Sequence, residues 1–332
     1  DRYAVDIDPD SEAIVTIDRS GMGELEPSLR YLVEYPYGCL EQTLSHMVPL
    51  VAARDLSESL GGTAASGDKA RDYIRVAVAK LQRHQHADGN FSLWPDSETY
   101  PHLTAYAIWG MTQASRSGVD VPKDAINNGI AALNKWADAQ TALVGNGDAA
   151  ALAMGTYVAA VRGVPMRPAM ARLYEIRASL PRWGQAFLWR AMVKAKMPAA
   201  QLADMRALVL ASIVVNGDQA SVTEPATRDY DHMHSNVRAS AMVLDALLEV
   251  APKEAVVGKL VAGLLAARDK AGRWESTQDN VWSLLALAAY AHQQTAGTGT
   301  AKIFVGGKLF ASPALPGAKV ATFHIPLAQL QN

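Results

Sequence analysis

Cys39 and Gln42 are the residues whose types and spacing could carry chemistry in this chain. Cys39 is the only cysteine among 332 residues, so no internal disulfide can engage its thiol. Residues three apart on a helical turn face each other, with β-carbons about 5–6 Å apart. The Cys39 thiol could therefore attack the side-chain carbonyl carbon of Gln42 and form an internal thioester with loss of ammonia. Gly38 favours this by removing steric bulk where the chain enters the helix.

The same spacing also fits a small cysteine buried for packing beside an ordinary helical glutamine. The surrounding run separates the two interpretations. Residues 36–42 read Pro-Tyr-Gly-Cys-Leu-Glu-Gln, which closely resembles the thioester motif of the alpha-2-macroglobulin and complement superfamily. Leu40 indicates the bacterial alpha-2-macroglobulins, because vertebrate members usually carry glycine at this position. We therefore favour the thioester.

The resemblance implies a trap for proteases. A protease cuts an exposed bait segment elsewhere in the protein, the thioester is uncovered, and a lysine amine of the protease attacks the carbonyl of Gln42. This is single-turnover endopeptidase inhibition rather than enzyme catalysis, and it needs no cofactor. The implied partners are target proteases and neighbouring macroglobulin-like domains. The implied location is the periplasm, on an inner-membrane lipoprotein that serves bacterial defence.

A second group of residues flanks the reacting pair and could shield it. Its members are Tyr35, Tyr37, Gly38, Leu40 and Glu41. Aromatic rings at positions 35 and 37 would either exclude water from the thioester or simply pack the turn. We expect Glu41 to interact with the positive end of its own helix rather than to take part in the reaction.

Three further polar residues are candidates for the same rim of the fold. His102 and His234 each stand just before a predicted inner helix, as Cys39 does, although both also fit polar loop positions. Some complement members carry a histidine that steers attack toward hydroxyl groups. The position that corresponds to this histidine lies near Asn146 in this chain. Because no histidine stands there, we predict a preference for attack by lysine amines.

A run of acidic residues and histidines around residues 229–234 could suggest a metal site. An isolated His-x-His pair such as His232 and His234 is weak evidence for metal binding. We favour a solvated loop and predict no metal.

Helical periodicity runs from about residue 24 to residue 294 with almost no strand pattern. One-sided helices such as 71–81 alternate with stretches that are apolar nearly all round, as in 149–161 and 281–290. The loops 85–91 and 268–274 also look related, since each has an acidic residue, a glycine and then an aromatic residue. We take the aromatic anchors Phe91, Trp94, Trp109 and Trp274 as packing residues. The pattern predicts a mainly α fold, an (α/α)6 toroid of helical hairpins.

Both ends of the chain carry strand patterns instead, at 13–17, 302–310 and 320–325, with Gly306-Gly307 as a hairpin signal. We predict β segments at 1–22 and 298–332 that pair in one small antiparallel sheet outside a toroid spanning 23–297. The resemblance implies that they are the two parts of an interrupted CUB-like β-sandwich. It also covers two segments that open inner helices, Leu-Thr-Ala-Tyr at 103–106 and Ser-Thr-Gln-Asp at 276–279. Because the chain begins at Asp1 without an apolar signal segment, we expect a piece of a longer protein.

Composition narrows the alternatives. Formal net charge is -2 from 31 basic and 33 acidic residues, and this near-balance argues against a nucleic-acid partner. A single cysteine excludes a disulfide scaffold and a multi-cysteine metal site.

Three rival functions stay open. One is a toroid enzyme. A terpene cyclase needs an Asp-x-Asp-Asp motif, and residues 229–232 read Asp-Tyr-Asp-His; a zinc prenyltransferase needs an aspartate two residues before its cysteine, where this chain has Tyr37. A cysteine hydrolase could use Cys39 with His46 or a rim histidine as its base, but this would leave Gln42 and the preceding Pro-Tyr-Gly unexplained. The third rival is a toroid that only binds partners and forms no thioester.

Overall fold

Eleven α-helices dominate the described residues of this computed structural model, which are 12–18, 25, 28–29, 31–32, 38–56, 67–225, 234–293, 298–316 and 320–326. The helices are α1 Leu40–Leu56, α2 Gly67–Gln82, α3 Pro101–Arg116, α4 Lys123–Ala139, α5 Gly147–Val161, α6 Arg167–Glu175, α7 Arg182–Lys194, α8 Ala199–Ala211, α9 Asn236–Val250, α10 Val257–Ala266 and α11 Thr277–Gln293. Within these ranges, none of the helices is both long and apolar enough to span a bilayer.

The odd-numbered helices form a closed inner ring. Each of α1, α3, α5, α7 and α9 packs against the next odd-numbered helix, and α11 packs back against α1. The even-numbered helices α2 to α10 connect successive inner helices and lie outside the ring. Residues 28–29 and 31–32 are also helical and precede α1, with Leu29 and Leu32 buried in the core. The predicted α/α toroid is confirmed.

Burial along each helix explains this arrangement. In α2 the buried positions are Ala70, Ile74, Ala77, Val78 and Leu81, a single stripe typical of an outer helix. Every residue of α5 from 149 to 159 is buried, as an inner helix between two ring neighbours requires. The alternation predicted from hydrophobic periodicity is therefore confirmed.

Glycines end two of the inner helices where the chain turns outward. Gly118 after α3 and Gly163 after α5 have φ values of 80° and 79°, a left-handed conformation that glycine adopts without steric cost. The loops 85–91 and 268–274 also share one turn, as their sequences predict. The N–H of His86 donates to the carbonyl of Asn90 at 2.9 Å, and that of Asp269 to Arg273 at 2.7 Å.

Aromatic side chains fill the centre of the ring. The ring centroids of Trp282 and Trp109 are 4.4 Å apart, and Phe187 meets Trp282 edge-on at 5.9 Å. Phe91, Trp109 and Trp274 are buried, as predicted for packing anchors. The prediction for Trp94 is wrong, because its side chain is 52% exposed in the turn that it forms with Ser97.

A buried charge cluster links three inner helices. The Arg190 guanidinium on α7 contacts Asp245 at 2.6 Å and Glu249 at 2.5 Å, both on α9. It also donates to the hydroxyl of Tyr157 on α5 at 3.0 Å. Burial alone would raise the pKa of Glu249, but Arg190 and Lys194 outweigh burial and hold it at about 2.

One β-hairpin within the helical region was not predicted. Strands β2 Ile213–Asn216 and β3 Gln219–Val222 pair antiparallel across a turn with Gly217 at φ 59°. Ala220 and Val222 are buried where β3 packs on α9 and α10. The strands are only four residues long, too short for alternation to stand out from the neighbouring helical pattern.

The two ends of the chain pair with each other. Strand β1 Glu12–Asp18 runs antiparallel to β8 Val320–Pro326, with Glu12 opposite Pro326 and Asp18 opposite Val320. Two further two-stranded pairs join β4 Thr298–Thr300 to β7 Ala314–Pro316, and β5 Ile303–Val305 to β6 Lys308–Ala311. Within the described residues these are separate ladders and not the one sheet predicted. The domain bounds 1–22, 23–297 and 298–332 stay a prediction.

Candidate functional site

Cys39 stands directly before α1 and acts as its N-terminal cap. The first N–H groups of a helix have no partner within the helix. The side-chain oxygen of Gln42 accepts a hydrogen bond from the N–H of Cys39 at 3.3 Å. This is one half of a capping box, in which the third helical residue reaches back to the cap residue.

The Cys39 thiol makes the other half of this capping box. It receives hydrogen bonds from the backbone N–H groups of Gln42 and Glu41, which act to lower its pKa. Burial of the side chain is the larger effect, and with the nearby Glu41 carboxylate it leaves the pKa of the thiol raised. The side chains of Cys39 and Gln42 are therefore held against the same helical turn. Their union in a thioester stays a prediction.

Gly38 leaves room for a lysine from the neighbouring outer helix. A β-carbon at position 38 would lie 2.4 Å from the Lys80 Nζ. The steric role predicted for Gly38 thus has a specific neighbour, an ammonium group beside the turn that carries Cys39. Sequence reasoning did not single out Lys80, because it lies on α2, far from the motif in the chain.

Glu41 is bound to the last inner helix, α11. Its carboxylate is 6% exposed. One oxygen accepts hydrogen bonds from Gln278 at 2.7 Å and Thr277 at 3.1 Å, and from Ser45 at 2.6 Å. Glu41 lies in the first turn of α1, where the expected interaction with the helix dipole operates. Its hydrogen bonds in addition tie this turn to the first turn of α11.

The Ser-Thr-Gln-Asp segment supplies this contact. The amide nitrogen of Gln278 also donates to the hydroxyl of Tyr106 at 3.2 Å, and its amide oxygen accepts from the indole of Trp282 at 3.0 Å. Burial raises the pKa of Tyr106, with a further contribution from the Glu41 carboxylate, so the phenol is neutral. The resemblance to the family covers this segment, but no local sequence pattern connects it to Glu41.

A cavity of about 250 Å³ opens where the inner helices begin, and we call this end of the ring the N-terminal rim. All six inner helices contribute to its wall, through Glu41, His102, Ala151, Trp183, Arg238 and Gln278 in chain order. These residues lie within the first two turns of their helices, so the six helices run parallel. His102 lies in the wall of the same cavity as Glu41, at the rim where its position before an inner helix predicts it.

The other predicted rim residues have capping or backbone roles. The Asn146 side chain accepts from the N–H of Ala149 at 3.1 Å and caps α5. The His234 Nε2 donates to the backbone carbonyl of Glu224 at 2.8 Å. Leu40 is fully buried, and its N–H donates to the carbonyl of Leu93 at 3.0 Å.

Tyr35, Tyr37 and His232 lie outside the described residues. Among the residues that are described, no cluster of three or more histidine, cysteine or acidic side chains could hold a metal ion.

His46, the base considered for a cysteine hydrolase, faces the outer helix α2. Its Nδ1 lies 2.9 Å from the hydroxyl of Tyr73. Burial lowers the pKa of the imidazole, and the nearby Lys80 lowers it further. The ring is thus neutral and is held by a tyrosine.

Comparison with known proteins extends these observations. Residues 15–146 match the family model described as the A-macroglobulin TED domain. The alpha-2-macroglobulin of Escherichia coli K12 is 36% identical over 114 residues, which are 32% of this chain and 7% of that protein. Salmonella alpha-2-macroglobulin reacted with methylamine superposes with a TM-score of 0.71 at 24% identity, covering 96% of this chain and 22% of that one. Escherichia coli alpha-2-macroglobulin activated by porcine elastase gives a TM-score of 0.63 at 25% identity, covering 97% and 30%.

The toroid, with a Cys-x-Glu-Gln turn at the start of an inner helix, defines a TED-type domain. Residues 15–146 thus match the macroglobulin TED domain, and the toroid has the fold of bacterial alpha-2-macroglobulins. The chain spans less than a third of the length of each of these three relatives.

Proposed function

We propose that this domain forms an internal thioester between Cys39 and Gln42 and uses it to capture proteases covalently. The observation that carries the proposal is the capping box, which pairs the only cysteine with Gln42 at a buried helix N-terminus. A capping box with serine or threonine at the cap position is an ordinary helix start. Cysteine at that position adds a nucleophile beside the glutamine side chain.

The chemistry proceeds in two acyl transfers. In the first, the Cys39 sulfur attacks the Gln42 carbonyl carbon, the C–N bond breaks, and ammonia leaves with the thiol proton. In the second, a lysine amine of the protease attacks the same carbon and the C–S bond breaks. The proton released from the amine goes to the Cys39 sulfur. The product is an amide bond to the protease and a free thiol, so each domain reacts once.

Two of the relatives support reaction with amines and with proteases. The Salmonella protein was reacted with methylamine, and the Escherichia coli protein was activated by porcine elastase. We extend both to this chain on the strength of the shared family. The partners are then target proteases and the other macroglobulin domains of a longer protein, located in the bacterial periplasm on an inner-membrane anchor. The paired terminal strands would belong to a CUB-like domain into which residues 23–297 are inserted.

Incubating the full-length protein with elastase or trypsin should give an adduct that survives boiling in detergent. We expect peptide mapping to locate the new bond between the Gln42 carbonyl and a protease lysine. Cys39→Ala should still be cut in the bait segment but should give no adduct. A protease adduct formed equally well by Cys39→Ala would contradict the proposal.

Amines should be preferred to alcohols as nucleophiles. Asn146, at the position implied for a steering histidine, is a helix cap whose carboxamide cannot form the acyl intermediate of nucleophilic catalysis. We expect methylamine to open the thioester at least about tenfold faster than glycerol at equal concentration, by the usual size of such catalytic effects. Preference for glycerol would contradict this. Loss of that preference in His102→Ala but not in His234→Ala would then assign the steering role to His102.

A further inference from the structure

Glu41 holds a negative charge in the first turn of α1, between the two reacting residues. Cys39 lies two residues before it and Gln42 directly after it, so the carboxylate belongs to the same turn as the thiol sulfur. The side chain is 6% exposed, and its position is set by contacts to α11. The charge therefore has a defined place and little screening from solvent.

The three hydrogen-bond donors that hold this carboxylate are neutral. They are the hydroxyls of Ser45 and Thr277 and the amide of Gln278. Neutral donors orient a carboxylate and stabilise its charge, but they leave its field on neighbouring groups in place. Burial is the main cause of the raised pKa of the Cys39 thiol, and the Glu41 carboxylate adds to it.

We propose that Glu41 is a positioning residue that controls the lifetime of the thioester by opposing the build-up of negative charge on the Cys39 sulfur. The inference rests on the proposed function, and the role of Glu41 is electrostatic. When water attacks the thioester, a C–O bond forms, the C–S bond breaks, and its electron pair moves onto sulfur before a proton from water neutralises it. A fixed carboxylate nearby makes this thiolate a poorer leaving group. Hydrolysis is then slowed without any block to the approach of water.

Other charged groups lie beside this turn or at the same rim, and they contribute to any measured pH dependence. Lys80 of α2 lies against Gly38, and His102 of α3 and Arg238 of α9 line the rim cavity. Asp279 of α11 is bound to Ser235 at the same rim. Because these groups are the same in every variant below, the difference between variants isolates the charge at position 41.

The first measurement is the pH dependence of Cys39 alkylation by iodoacetamide, after methylamine has opened any thioester. Glu41→Gln keeps an oxygen acceptor for the three donors and removes the charge. We expect its alkylation midpoint to fall by about one pH unit, from the Coulomb energy of a charge several ångströms away at intermediate dielectric. Glu41→Asp, which restores the charge, should return to the wild-type midpoint. Thr277→Val, which removes one donor and keeps the charge, should not move it.

The second measurement is the loss of thioester in amine-free buffer, followed by intact mass. Glu41→Gln should lose it about threefold faster than wild type, because a thiol of lower pKa is a better leaving group. The proposal would be overturned if Glu41→Gln had the same alkylation midpoint and the same rate of thioester loss as wild type. If that variant does not fold, Glu41→Ala provides the same test of charge removal.

The two measurements separate the inference from the proposed function. If wild-type protein shows no mass loss, the thioester fails, and the alkylation midpoint still reports whether Glu41 acts on the sulfur. An unchanged midpoint overturns the role of Glu41 even where the thioester is present.

Discussion

Methylamine should release one titratable thiol from each molecule of the native protein, and Cys39→Ala should release none. A formed thioester lowers the intact mass by roughly 17 Da relative to the sequence, and opening by methylamine raises it to roughly 14 Da above the sequence, as the covalent intermediate requires. The effect is all-or-none, because Cys39 is the only thiol in the chain. Disulfide-reagent titration and mass spectrometry before and after treatment measure it.

Gln42→Asn is the matched control for this experiment. It keeps the thiol but withdraws the acyl carbon by one methylene, so Cys39 should be titratable before methylamine is added. Far-UV circular dichroism should show that both variants keep the helical fold, because Cys39 and Gln42 lie at the rim of the ring. A native protein with the unmodified mass and a free thiol would instead support a toroid that only binds partners.

Arg190→Met should lower the free energy of unfolding by about 3–5 kcal/mol, the usual cost of removing one partner of a buried ion pair. The variant leaves the carboxylates of Asp245 and Glu249 without the guanidinium that lies 2.6 and 2.5 Å from them. Arg177→Met is the matched control, because the Arg177–Asp204 pair is only partly buried, with side-chain exposures of 30% and 42%. We expect that control to cost less than about 1 kcal/mol. Urea unfolding at neutral pH provides the comparison, and equal costs for the two variants would contradict the prediction.

The acid dependence of stability gives a second test of the same cluster. The pKa of Glu249 lies at about 2 in the folded protein, below its ordinary value of 4.5. A carboxyl group with a lowered pKa stabilises the fold above its unfolded pKa, and this stabilisation is lost as pH falls toward the folded value. Wild type should therefore lose stability between about pH 5 and pH 2 more steeply than Arg190→Met, in which only Lys194 remains to lower this pKa. Identical slopes would show that Arg190 does not contribute to the shift.

The local hydrophobic pattern of the sequence was sufficient to predict the helical architecture. The stripe of buried positions from Ala70 to Leu81 and the uniformly apolar run 149–159 each follow from a period of 3.6 residues. Outer and inner helices could therefore be told apart before any contact was known. The hairpin 213–222 was missed for the converse reason, since four-residue strands give too few positions for a period of two to show.

Some features of the candidate site were likewise predictable from the sequence, and others were not. The pairing of Cys39 with Gln42 was predictable, because it depends on a three-residue separation within one helical turn. The partners of Glu41 were not, because Thr277 and Gln278 lie 236 and 237 positions away in the chain. Only closure of the ring brings α11 against α1, and no local propensity specifies that contact.

The sequence by itself specified the pairing of Cys39 with Gln42, the resemblance to a known family and the alternation of helices, because each depends on residues that are close in the chain. Tertiary structure alone decided the surroundings of that pair. It placed Lys80 against Gly38, gathered three neutral donors on the Glu41 carboxylate, and enclosed Arg190 between two acids. These contacts join helices from different hairpins. Their energies depend on burial and distance in the folded ring, and neither quantity can be read from the order of residues.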